Sequence, residues 1–316
     1  MSSPLPKRIL VFGATGVIGK YIIREIVNGR SSFEKIGLFT SPLTAETKSS
    51  ELDVWRGAGV EVIVGDVTSE ADIKEVYEGY DTVVSALGRG AIRVQIPLLQ
   101  LAEASDSITS FFPSEYGTDI EYGPASASEK PHQDKLGVRK FVREKVKKLH
   151  VTYLVTGPYS DLFLAPSSDA RIGSFDPRQR TATLLGAGDE AISFTTMRDV
   201  GRLVVAALRT PCSEGQKERV LKVNSFTASG TQALAVFEKA TGKKWDVSYT
   251  SLEELKELEK KAWEEEWPVR TPLTLRRIWI EGGTLYEKRD NGKIVGGEEG
   301  LETLEDQVKV VVERFG

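Results

Sequence analysis

Ile9-Leu-Val-Phe12 runs directly into Gly13-Ala-Thr-Gly16-Val-Ile-Gly19, and the fold turns on these eleven residues. The first four are a short, continuous apolar run, which suits a strand buried on both faces. After the glycines a helical period begins, with Val17, Ile18, Tyr21, Ile22 and Ile26 on one face. Asn28-Gly29 then predicts a left-handed helix cap. A glycine triplet between a strand and a helix has a physical logic: the first permits a tight turn, the second lets backbone approach a pyrophosphate, and the third lets helix and sheet pack closely. The pyrophosphate would sit on the unpaired N–H groups and positive dipole end of the helix. Gly13, Thr15, Gly16, Val17, Ile18 and Gly19 are thus candidate dinucleotide-binding residues. A purely structural glycine turn is the competing reading, and the flanking strand and helix argue against it.

Working outward, strand and helix alternate. Ile36–Phe39, Val60–Val64, Asp81–Ser85, Ile108–Phe112 and Val151–Val155 read as further strands. Between them lie a helix capped by Ser69 and a basic helix from Gln133 to about Leu149. This spacing predicts an α/β chain with a Rossmann-type, doubly wound parallel sheet. The second half is less regular. Strands are expected at Ala191–Phe194, Arg219–Val223 and Trp245–Tyr249, and helices around Val200–Leu208, Ser229–Thr241, Leu252–Trp263 (capped by Ser251) and Leu301–Phe315. The division that follows is a dinucleotide-binding domain over residues 1–157, with a return contribution near 190–227. Residues 158–316 form mainly a smaller α/β domain that covers the substrate.

Composition excludes several classes of function. Of 316 residues, 42 are Lys or Arg and 46 are Asp or Glu, giving a net charge of −4. That mild acidity argues against a nucleic-acid partner. Cys212 is the sole cysteine, so no internal disulfide can form, and with only His132 and His150 beside it no zinc-like spacing exists. No run approaches the roughly 20 apolar residues of a membrane span. Met1–Arg8 lacks the apolar core of a signal peptide. The expectation is a cytoplasmic protein, monomeric or homodimeric, that acts on a small molecule, without a metal.

The end of the second strand bears on cofactor choice. A carboxylate there would hydrogen-bond the ribose 2′-OH of NAD. This chain has Thr40-Ser41, and its first carboxylate comes at Glu46. Thr40, Ser41 and Lys48 could instead donate to a 2′-phosphate, so NADP(H) is expected. The alternative reading is a solvated polar loop. Later strand ends supply Ser85, Ala86 and Leu87, then Pro113, Ser114 and Glu115, and finally Pro158, since ligands of open α/β sheets bind beyond the carboxyl ends of strands.

For proton transfer, the Tyr-x-x-x-Lys pair of short-chain dehydrogenases is missing. Tyr116, Tyr122, Tyr153 and Tyr159 are followed four residues later by Ile120, Ser126, Gly157 and Phe163. Lys135 is the candidate replacement. At roughly 100° per residue it falls about 20° from Val142, on the apolar stripe of its helix. Burial and the first helical turn both disfavour its positive charge, which favours a neutral amine able to act as a general base. A snorkelling lysine is the bland alternative. His132 could assist, or could simply cap the helix.

Further motifs carry a resemblance. Gly13-Ala-Thr-Gly-Val-Ile-Gly19, Asp81-Thr-Val-Val-Ser-Ala-Leu-Gly88, Phe111-Phe-Pro-Ser-Glu-Tyr-Gly-Thr-Asp119, Lys135-Leu-Gly-Val-Arg-Lys140, Met197-Arg-Asp-Val200 and Thr241-Gly-Lys243 together resemble the isoflavone reductase-like branch of the NmrA-like family, atypical short-chain dehydrogenase/reductases. The resemblance implies NADPH as hydride donor, Lys135 as general acid/base, and a phenolic, aromatic or enone-type substrate. The family commonly has an Arg after the second strand where this chain has Thr40, and many members have a second lysine where this chain has Gly137. Arg270–Lys288 matches the family poorly, so the substrate is left open there, with Ile278 and Trp279 as candidate cover residues. A non-catalytic, dinucleotide-sensing regulator of NmrA-like type is the second reading. A sugar-nucleotide epimerase or dehydratase is disfavoured by the missing Tyr-x-x-x-Lys pair.

Overall fold

The computed structural model describes residues 5–316, so the first half of the Met1–Arg8 segment lies outside the described residues. Seven parallel strands form the main sheet: β1 (Arg8–Phe12), β2 (Lys35–Thr40), β3 (Glu61–Val64), β4 (Thr82–Ser85), β5 (Ser110–Phe112), β6 (His150–Val155) and, much later in the chain, β10 (Glu218–Lys222). Their order is β10-β6-β5-β4-β1-β2-β3. The order reverses between β1 and β4, whose ladder runs from Ile9↔Thr82 to Phe12↔Ser85. A crevice opens at such a switch point, outside the carboxyl ends of the strands.

Helices cover both faces because strands buried on both sides need two apolar layers. On one face lie α1 (Gly19–Asn28), α2 (Pro42–Thr47), α3 (Ser49–Gly57) and, from the second half, α8 (Met197–Leu208). Ile22, Ile23 and Ile26 of α1 and Leu203, Val204 and Ala207 of α8 pack there with Ile9 and Val11. The close approach requires Gly201, where a Cβ would stand 2.5 Å from the Tyr21 carbonyl oxygen. On the other face, α4 (Glu70–Glu78), α5 (Gln95–Ala104) and α6 (Gln133–Lys145) pack on Leu10, Phe12, Val83 and Phe111.

The cover is built from α7 (Ser160–Phe163), β7 (Ser174–Asp176), β8 (Thr181–Leu185), β9 (Ile192–Phe194), β11 (Phe226–Ala228), α9 (Gly230–Thr241), β12 (Asp246–Thr250), α10 (Leu252–Glu264), α11 (Arg270–Ile280) and α12 (Leu304–Phe315). Its strands form a three-stranded sheet, β12-β8-β7, and an antiparallel pair, β9 with β11. These bury a separate core around Phe175, Phe237, Trp245 and Phe194.

Several sequence expectations shift. Gly29 does not adopt a left-handed cap: its φ is −88°, and the chain passes straight into a short 3-10 turn at Arg30–Ser32. A Cβ there would meet an Arg209 guanidinium nitrogen at 2.9 Å, a contact that the end of a flexible side chain can relieve. The basic helix stops at Lys145, because Val146 turns extended and the Glu103 carboxylate accepts from the N–H groups of Lys147 and Lys148, ending the helical ladder. Helices α2, α3, α5, α7 and α11 and strands β7, β8 and β11 were not expected. Ser69 and Ser251 do cap α4 and α10, accepting from the N–H of Asp72 and Glu254 respectively.

Candidate active site

The glycine loop is shaped by contacts that leave no room for side chains. Gly13 has φ +76°, and a Cβ on it would lie 2.5 Å from the Ala86 carbonyl oxygen at the end of β4. Gly19 opens α1 so close to the loop that a Cβ would fall 2.0 Å from the Gly13 carbonyl oxygen. At Gly16 the constraint is looser, 3.1 Å to the same oxygen, and the residue faces the crevice. The loop thus aims the start of α1, at Gly16, Val17 and Ile18, into a cavity of about 630 Å³. A volume of that size suits a small organic ligand.

One wall of the cavity consists of strand ends: Ala86, Leu87 and Gly88 after β4, Ser114 and Tyr116 after β5, and Gly157 and Pro158 after β6. The facing wall is the cover, with Leu162 and Phe163 of α7, Trp263 of α10, and Arg270, Leu275, Arg276 and Trp279 of α11. Two links fasten the walls together. Trp279 Nε1 donates to Thr118 Oγ1 at 2.7 Å. Arg277 of α11 pairs with Glu129 at 2.7 Å, as well as with Glu259 and Glu281.

Lys135 stands between the walls. It is the third residue of α6, half-buried, and its Nζ donates to the Glu115 carbonyl oxygen at 3.2 Å. Withdrawal from water pulls its pKa from 10.5 to about 8; Arg89 and Arg139 act in the same direction, and the Glu115 carboxylate opposes them. Glu115 itself points away from the cavity, at 3.3 Å from both Nε and Nη2 of the buried Arg139. Arg139 also donates to Glu121 at 2.6 Å, and Arg143 joins Glu121 to Glu218 of β10. His132 lines the cavity with Nδ1 near the Ser126 carbonyl at 3.3 Å and Nε2 without a partner. Burial lowers its pKa to about 4, so the ring is neutral at neutral pH.

The candidates divide into two groups. Gly16, Val17, Ile18, Ala86, Leu87, Ser114, Lys135 and Pro158 line the cavity; Gly13, Thr15, Gly19, Thr40, Ser41, Lys48, Ser85, Pro113 and Glu115 are not part of its lining. Lys48 is nonetheless tied to the glycine loop, since its Nζ donates to the Thr15 carbonyl oxygen at 2.7 Å. Ser41 N-caps α2, and Thr40 is buried at the end of β2. Ser114 braces the strand ends, donating from Oγ to Leu87 O at 2.9 Å and from its N–H to Gln95 at 2.7 Å. Ser85 is fully buried with an unpartnered hydroxyl. Arg139, Tyr159, Phe163, Trp263 and Arg276 were not singled out as site residues from the sequence; Arg139 had a signal, lying four residues after Lys135 on the same helix.

A Rossmann sheet whose glycine loop opens on a cavity, closed on its far side by an aromatic cover and flanked by a lysine, defines the dinucleotide-binding class of α/β proteins. The chain matches the NmrA-like family over residues 6–275 and belongs to it, within its isoflavone reductase-like branch. It is 32% identical over 256 residues to an oxidoreductase, aprR, of Aspergillus flavus, covering 79% of each chain. It is 25% identical over 259 residues to isoflavone reductase of Pisum sativum, covering 78% of this chain and 80% of that one. The fold superposes on the Vitis vinifera leucoanthocyanidin reductase–NADPH complex with a TM-score of 0.79, at 18% identity, over 97% of this chain and 99% of that one. Among the described residues no cluster of His, Cys, Asp or Glu could hold a metal, and no helix is long and apolar enough to cross a membrane.

Proposed function

We propose that the protein is an NADPH-dependent oxidoreductase that reduces a small aromatic, phenolic or enone-type substrate, with Lys135 as general acid/base. The observation that carries this reading is the placement of the Lys135 amine on the cavity wall, bonded to the Glu115 carbonyl between the strand ends and the aromatic cover, where withdrawal from water lowers its pKa to about 8. A group with that pKa changes protonation readily at neutral pH. The residues present suit the dinucleotide. Gly13, Gly16 and Gly19 leave the backbone of the turn bare at three positions, and Lys48, anchored on Thr15, sets a positive charge beside the loop where a 2′-phosphate is expected. Thr40 and Ser41 bring no carboxylate to repel it.

When bound, NADPH supplies the hydride. Pro113, Lys135 and Pro158 would flank its nicotinamide end, with Val17, Ala86 and Leu87 along the groove. In the protonated state Lys135 delivers the proton that completes the reduction, and Glu115, fixed by Arg139, offsets the charge of the ammonium. The cover excludes water. Residues 1–157, completed by the return near 190–227, carry the cofactor half on this reading, and 158–316 mainly the substrate half. The name of the Pisum sativum relative, isoflavone reductase, supports the phenolic substrate class.

Lys135→Met tests the assignment. The variant is expected to lose turnover by at least roughly 10²-fold, the scale of general acid–base catalysis, with the Kd for NADPH unchanged. Unchanged turnover overturns the role of Lys135. If the unaltered protein oxidises no NADPH across a panel of phenolic and enone compounds, and binds NADP+ and NADPH equally, the dinucleotide-sensor reading replaces the enzyme.

A further inference from the structure

The two adjacent arginines of α11 are treated very differently by the fold. Arg277 meets three carboxylates, Glu129, Glu259 and Glu281, at 2.5–2.8 Å. Arg276 is 7% exposed and lines the cavity, and no salt bridge to it occurs among the described residues. Its Nη2 reaches only the Leu162 carbonyl, at 3.5 Å, and Nη1 has no partner. Its guanidinium carbon lies 4.1 Å from the Phe163 ring centroid and 5.3 Å from that of Trp279. Ring faces hold the plane of a cation but leave its in-plane N–H donors unused.

A purely structural buried arginine looks different in this same molecule. Arg219 also lacks a carboxylate, yet donates to Thr152, Pro211 and Ala207. An unsatisfied buried donor is costly, and an uncompensated buried charge more so. Burial pulls the Arg276 pKa down, but a guanidinium starts high enough to stay charged at neutral pH. The rest of the chamber offers little to neutralise it. Lys130 and Arg270 lie over the Trp263 ring, and the acidic lining residue Asp134 is engaged by Arg93 at 2.6 Å.

We infer that Arg276 is the anchor for an anionic group on the substrate, and that the substrate is an aryl carboxylate whose ring lies among Phe163, Trp263 and Trp279. A carboxylate would take up the unused fork of donors in bidentate fashion. The inference rests on the reading of this cavity as the reductase's substrate chamber. Arg276 stands on the cover wall, opposite the glycine loop, so the anchor is separate from the phosphates of the dinucleotide.

The test measures binding without turnover. Benzoate, cinnamate and 2-naphthoate, each paired with its methyl ester, are titrated into the full chain saturated with NADP+, and the heat of binding is followed by calorimetry. At least one acid is expected to bind at least tenfold more tightly than its ester. Arg276→Met should abolish that preference with NADPH affinity intact, and Arg276→Lys should keep part of it. Should no acid exceed its ester in the unaltered protein, the inference falls, and this comparison needs no variant. A loss of NADPH affinity in folded Arg276→Met would assign the residue to the cofactor and equally overturn it. Acid preference without any NADPH oxidation would uphold the anchor while refuting the reductase reading.

Discussion

At the scale of single residues, Lys135 is a lysine whose setting costs stability. Its pKa in the folded chain, about 8, lies below the 10.5 of a solvated lysine. Between those values the unfolded chain binds more protons, so the contribution of Lys135 to stability rises with pH across that window and is unfavourable at pH 7. Lys135→Met should therefore raise stability at pH 7 by on the order of 1–3 kcal/mol, read as a higher Tm, while removing turnover. A lower Tm would mean that the hydrogen bond to Glu115 outweighs desolvation. The same ionisation shapes the rate. If protonated Lys135 delivers the proton, reduction falls as pH rises through about 8. A pH–rate profile flat from 6.5 to 9.5 would remove Lys135 from the proton path.

At the scale of elements, the glycine loop separates packing from ligand contact. Gly19→Ala forces a Cβ to within 2.0 Å of the Gly13 carbonyl oxygen, against backbone that cannot move without displacing α1 from β1. A destabilisation of about 1–3 kcal/mol or more is expected in chemical denaturation. Gly16→Ala has 3.1 Å to the same oxygen and opens on the crevice. It should lower the denaturation midpoint far less than Gly19→Ala does and weaken NADPH binding by roughly tenfold or more, because the methyl stands where the pyrophosphate is expected to approach. This loop was legible in the sequence because its meaning is local: strand, turn and helix follow one another without interruption from Arg8 to Asn28. The six strands of the first half were legible for the same reason. What escaped was non-local. Strand β7 has three residues, and β8 shows its pattern only against β12. Helix α11 carries Arg276, Arg277 and Trp279, residues whose roles are set by Glu129, Thr118 and Phe163 far away in sequence.

At the scale of the molecule, the two halves are interleaved. The chain leaves the main sheet after β6, builds part of the cover, and returns with α8 and β10. Residues Glu218–Lys222 pair with Val151–Val155, so β6 is an interior strand only once the second half has folded. Arg143 reinforces the join by reaching Glu218 at 3.1 Å. A fragment of residues 1–157 would expose the edge of β6 and the apolar face of α1 that α8 covers. It should give no cooperative unfolding transition and be degraded rapidly in limited proteolysis. A stable fragment with a sharp transition would show that the cofactor half stands alone.

The contrast between the paired Arg277 and the unpaired Arg276 has a consequence for how such a chamber can diverge. Arg277 bolts α11 to Glu129 and to Glu259 of α10, so the position of the helix is secured independently of Arg276. Selection can then exchange Arg276 or Leu275 for other side chains and change the accepted molecule, while the backbone of α11 and the wall of strand ends stay in place. One helix serves as a replaceable keyway in an otherwise fixed lock.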